Sequence, residues 1–127
     1  VIKINKLYKR GMDDHSLYEV VRGIWRASFE KAQSVEYVFG VYNSLIVAVY
    51  KPTKWYICKY AKDRLPRQDI VLDSKLENRI FFEDINFEQD LPLNDNQLFY
   101  LNKSIINLKI NQSAQNPITY LFPIKSN

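Results

Sequence analysis

Val35-Glu-Tyr-Val-Phe-Gly-Val-Tyr-Asn-Ser-Leu-Ile-Val-Ala-Val-Tyr50 is the stretch that decides how the 127-residue chain is read. Val, Ile, Tyr and Phe fill both halves, and such β-branched and aromatic side chains suit a pleated surface better than a helix. Asn43-Ser44 divides the halves, and Asn tolerates the left-handed backbone of a two-residue hairpin turn. The spacing predicts two strands joined tightly, buried on both faces because almost no polar residue interrupts them. Glu36, Asn43 and Ser44 break the run, and it is too short to span a membrane as a helix.

Around this hairpin the chain has room for one domain, residues 1–127, with a core that needs no staple. A single cysteine, Cys58, leaves no internal disulfide and no Cys-rich zinc site, so a reducing cytoplasm is the expected home. Neither a signal peptide nor a membrane span is expected. A start without Met fits a piece of something longer.

The formal charge of +4 is uneven: residues 1–67 hold thirteen Lys/Arg against six Asp/Glu, and residues 68–127 hold five against eight. One part is thus a candidate polyanion face, although a Lys-rich composition solubilises any protein. Residues 1–10 alternate apolar and basic positions, as a short strand with a basic outer face or a lysine-guarded edge would.

After Gly11, Asp13 or Asp14 can cap a helix running to about Ser28, with Leu17, Val20, Val21, Ile24 and Ser28 on one stripe at about 100° per residue. Tyr18, Arg22, Trp25 and Arg26 then share one flank. Guanidinium groups pair with phosphates and rings stack on unpaired bases, so this edge suits nucleic acid. The competing reading closes the core rim with Trp25 and pairs the arginines with Glu19 and Glu30. Gly23 inside the helix implies close approach of another segment or a ligand.

Beyond the hairpin, Pro52 ends the strand and a turn gathers Lys51, Lys54 and Trp55. A third strand is expected over 55–60. Lys59-Tyr-Ala-Lys-Asp-Arg-Leu-Pro-Arg67 carries four cations against one acid and is the first place to look for phosphate contact, although surface loops share that composition. Residues 70–75 read as a strand ending in Asp73-Ser-Lys75, a spacing used by magnesium nucleases, but no convincing upstream acid completes a metal site. Residues 79–87 read as a strand with Glu83-Asp84 at a solvated point. Asn94 or Asp95 caps a helix through about residue 108, and 118–123 form a last strand. His15 reads as a surface residue. No catalytic residue, cofactor or metal is expected.

Three phrases together carry a resemblance: Arg22-Gly-Ile-Trp-Arg26; Glu36 to Tyr42 with Val47-Ala-Val-Tyr-Lys51 and Trp55; and Lys103-Ser-Ile with Gln115-Asn-Pro-Ile-Thr-Tyr120. Their order resembles a small microbial domain of restriction and mobile-element contexts, and the hairpin followed by Tyr-Lys and Trp resembles the PUA-like group that includes ASCH and EVE domains. The resemblance implies an α+β fold, a mixed, mostly antiparallel β pseudobarrel with two packed helices, and a cleft between hairpin and first helix that holds a base. Arg22, Trp25, Arg26, Tyr42, Asn43, Trp55, Lys103, Ser104 and Asn116 are the residues matching its phrases. Asn43-Ser44 departs from the Gly common at such turns, and no full aromatic cage is evident.

The expectation is a module binding DNA or RNA, with phosphates held by Arg22, Arg26, Lys51, Lys54, Lys59, Lys62, Arg64 and Arg67, and bases by Trp25, Tyr42 or Trp55. One alternative is a structural or protein-interaction domain of a larger defence protein, with a protein partner or fused nuclease; another is a small metal-dependent nuclease using Asp73 and Lys75.

Overall fold

The computed structural model describes residues 2–3, 11–66 and 71–104. Within them the chain is α+β. The hairpin forms as expected: β3 (Val38–Tyr42) pairs antiparallel with β4 (Leu45–Tyr50), and Asn43 and Ser44 both adopt positive φ, 48° and 68°. That is the backbone a two-residue turn needs to match the twist of its strands. A short strand β1 (Ile2–Lys3) lies parallel to β3, giving the sheet order β1-β3-β4.

A second three-stranded sheet is antiparallel throughout, in the order β2 (Gly23–Trp25), β6 (Ile80–Glu83), β5 (Lys54–Ile57). Strand β5 lies at its edge. No closed barrel is formed by the described residues.

The first helix, α1 (Asp14–Val21), is capped by the Asp13 carboxylate, which accepts a hydrogen bond from Ser16 N at 2.7 Å. That bond holds the Asp13 carboxyl below its ordinary pKa. The expected helix to Ser28 is corrected: it stops at Val21, residues 23–25 join the second sheet instead, and a separate one-turn helix, α2 (Phe29–Ala32), follows with Ser28 as its cap. Gly23 explains the change. A Cβ there would sit 2.4 Å from Phe81 Cβ, so only glycine lets β2 and β6 approach this closely. The close approach inferred from the sequence is therefore real, but it occurs in a strand. Gly40 serves similarly in β3, where an added Cβ would meet Val21 Cγ2 at 2.9 Å; α1 rests directly on the hairpin.

The main core joins α1 to both sheets through Leu17, Tyr18, Val21, Tyr50, Trp55 and Phe82, among others. The opposite face of the first sheet packs Val41, Ile46 and Val49 against Tyr100 and Leu101 at the end of α4 (Asp95–Tyr100). The opposite face of the second packs Phe81 and Ile24 with Cys58 and Ala61 from the turns after β5. Both strands of the hairpin contribute to two apolar clusters, as their near-continuous hydrophobicity requires.

Other expectations need adjustment. Strand 79–87 shortens to β6, because Asp84 caps a one-turn helix, α3 (Ile85–Glu88), accepting from Phe87 N at 3.2 Å. Asp84 is buried rather than solvated, and its other oxygen accepts from Lys51 N at 3.0 Å. Residues 71–75 form no strand: Asp73 accepts from Lys75 N at 2.9 Å and Leu76 N at 3.1 Å, closing a turn. The helix begun by an Asn94–Gln97 capping box ends at Tyr100, after which Asn102 N donates to Ile46 O and Lys103 O accepts from Ile46 N. The strand expected over 118–123 lies outside the described residues.

Candidate nucleic-acid interface

The residues singled out from the sequence divide into three groups. Arg22 and Trp25 are interior. Arg22 is 4% exposed, and its Nε donates to Phe82 O at 2.9 Å while its two terminal nitrogens reach Arg64 O and Glu19 at 3.2 Å, with Glu83 at 3.8 Å. Its guanidinium carbon also lies 5.2 Å from the Tyr18 ring centroid and 5.3 Å from that of Phe81. A group so occupied within the protein is a structural ion, not a phosphate ligand. Trp25, 8% exposed, donates from Nε1 to Val21 O at 2.7 Å. Arg26 is exposed just past β2, so the shared flank of Tyr18, Arg22, Trp25 and Arg26 does not form. The cleft expected between hairpin and α1 is filled too: Tyr18 meets Tyr50 at 5.3 Å between ring centroids inside the core.

A second group lies at the hairpin tip. Asn43 is exposed in the turn, Tyr42 is half-buried against the main core, and Ser104 bridges to Leu45 beside exposed Lys103. Lys103 Nζ lies 4.6 Å from the Phe99 ring centroid. Arg67 and Asn116 lie outside the described residues. Lys51, exposed past β4, is tied to Asp84 through its backbone N–H.

The third group is the one the fold gathers. Lys54 begins β5, Lys59 lies in the 3₁₀ turn Cys58–Tyr60, and Lys62 and Arg64 lie in the next, Lys62–Arg64; all four are exposed. Three of them lie against two tyrosines. Lys54 Nζ and Arg64 Cζ approach the Tyr56 ring at 5.1 and 5.7 Å, and Lys59 Nζ approaches the Tyr60 ring at 5.0 Å. Tyr56 stacks on Phe81 at 5.2 Å and donates to Glu83 at 2.7 Å; burial and that carboxylate raise its hydroxyl pKa. Arg64 shares Glu83 at 3.2 Å. Tyr60, in contrast, is 76% exposed.

Between these groups lies an open depression of about 370 Å³, bordered by Phe29, Trp55, Tyr56, Tyr60, Asp63 and Arg64. Trp55, 7% exposed, packs on Phe82 at 5.0 Å, so its ring is a wall rather than a stacking surface. Its Nε1 is nonetheless a buried donor without a hydrogen-bond acceptor among the described residues. Such a donor costs about 1–3 kcal/mol relative to a satisfied one.

No protein-family model, curated protein or solved structure matches this chain.

Tyr56 and Tyr60 are the residues that reading the sequence passed over. The available signal was position: Tyr60 sits between Lys59 and Lys62 with no apolar periodicity to claim it. Among the described residues no group of three or more His, Cys, Asp or Glu could hold a metal, and no helix is long and apolar enough to cross a membrane.

Proposed function

We propose that this protein is a nucleic-acid-binding module whose phosphate-contacting surface is the edge of β5 and the two turns after it. One observation carries the reading: exposed Lys54 and Arg64 border one depression together with the exposed Tyr60 ring, and exposed Lys59 and Lys62 lie in the same two turns. Clustered cations attract a polyanion by releasing its counterions, and a ring among them offers a face to a base. The PUA-like pseudobarrel belongs to the same proposal, supported by two small, mainly antiparallel sheets sharing one core with a helix. Cytoplasmic residence fits the free, buried thiol of Cys58.

The test is retention of labelled single- and double-stranded DNA and RNA across a salt series without magnesium. Four phosphate contacts give a slope of log affinity against log salt of about −3 to −4. Reversing Lys59, Lys62 and Arg64 to Glu abolishes retention if the proposal holds, whereas salt-independent binding or an unaffected triple variant refutes it. A second reading, a protein-interaction domain, is favoured by exposed Leu91, Leu98 and Phe99 on and before α4. It predicts capture of a protein partner lost on Leu98→Asp, with no retention of nucleic acid.

A further inference from the structure

Resting on that proposal, we infer that the depression beside β5 takes one unpaired nucleobase of a single-stranded nucleic acid, with Tyr60 as its stacking surface and the Trp55 indole N–H facing its carbonyl edge. Phosphate attraction alone does not distinguish single strands from duplexes; rings do, because a base inside a duplex has both faces covered by its neighbours. Tyr60 has the required property. It is held in a short 3₁₀ turn, its ring is engaged by Lys59 at 5.0 Å, and most of its surface meets solvent. Tyr56 cannot share the task, since it already stacks on Phe81.

The border of the depression matches a base in polarity. Phe29, Trp55 and Tyr60 supply apolar walls, Lys54 and Arg64 flank the mouth where the neighbouring phosphates would run, and Asp63 is a rim acceptor suited to a ring or exocyclic N–H. The Trp55 Nε1–H is the complementary feature. It is a buried donor that lacks an acceptor among the described residues, and it belongs to a side chain bordering the depression. A base carbonyl supplies what the protein leaves out. Trp25, the other indole, already has its acceptor in Val21 O.

Three probes separate base from backbone: a single strand of about 15 nucleotides, an abasic strand of equal length, and the first strand annealed to its complement, each in DNA and RNA form. The inference expects the base-bearing single strand to bind tightest. Tyr60→Ala weakens it by roughly tenfold or more, down to the abasic level, while abasic affinity and salt slope stay unchanged. Trp55→Phe, which keeps a ring in the core, weakens the base-bearing strand severalfold and leaves the abasic strand alone. If Tyr60→Ala and Trp55→Phe change nothing while retention and its salt slope persist, this inference fails and the broader proposal stands. If no probe is retained by the parent protein at low salt, both fail together.

Discussion

Arg22→Met tests the assignment of this arginine to the core. Methionine keeps most of the stem's volume but removes a guanidinium that donates to Phe82 O and Arg64 O and pairs with Glu19 and Glu83. Breaking a buried pair by removing one partner costs roughly 3–5 kcal/mol, largely from the charge left behind. Here the stranded carboxylates are partly provided for: the Glu19 side chain is 37% exposed, and Glu83 keeps Arg64 at 3.2 Å and the Tyr56 hydroxyl at 2.7 Å. The lower end, about 3 kcal/mol, is therefore expected. With an m-value of about 2 kcal/mol per molar urea, the midpoint falls by about 1.5 M. Trp25 and Trp55 are both buried, so their fluorescence reports the transition directly. Arg64→Ala is the matched control: its pair with Glu83 is exposed and solvent-screened, so the midpoint barely moves, but on the proposed function the salt slope for nucleic acid becomes shallower by about 0.7–0.9. A variant pair with the reverse behaviour, an unmoved midpoint and flattened slope for Arg22→Met, would refute the structural role given to Arg22.

Asp84→Ala removes the acceptor of both Lys51 N and Phe87 N, so a loss of about 2–4 kcal/mol is expected from one helix cap and one orphaned donor; an unchanged urea midpoint would contradict it. Alkaline pH should destabilise the fold. Burial raises the Cys58 thiol from 9.0 to about 11 and raises the Tyr18 and Tyr50 hydroxyls above their ordinary values, so above pH 9 the unfolded chain loses protons that the folded one keeps. Each such group removes up to about 1.4 kcal/mol per pH unit until its folded pKa is reached, a decline that urea midpoints at pH 8 and 10.5 would reveal and that Tyr50→Phe would lessen.

Much of the central sheet was legible because local and tertiary preferences agree there: Asn43-Ser44 favours the turn, and the strands are apolar on both faces because both faces are packed. Residues 22–28 misled for the opposite reason. Ile24 and Ser28 continue the helical stripe of Leu17, Val20 and Val21, but pairing with Phe81, nearly sixty residues away, draws Gly23 to Trp25 into a strand. No local pattern announces that partner. The candidate site was half legible. Charge density pointed to residues 59–67, yet the indoles drew the stacking role because a tryptophan in sequence reads the same whether it lines a core or a surface. Tyr60 became visible only when the fold left it outside.

The two sheets also differ in how soon a folding chain can build them. The β3–β4 hairpin closes over two residues and should form within about 1–10 μs, whereas the second sheet must close the chain between Ile57 and Ile80 to join β5 to β6, and the longer stretch between Trp25 and Ile80 to add β2. The edge carrying Lys54, Tyr56 and the turns beyond belongs to that late sheet. A nascent or partly denatured molecule would thus keep its hairpin while lacking its cationic rim, and under the proposed function retention of nucleic acid would measure completed folding rather than secondary structure.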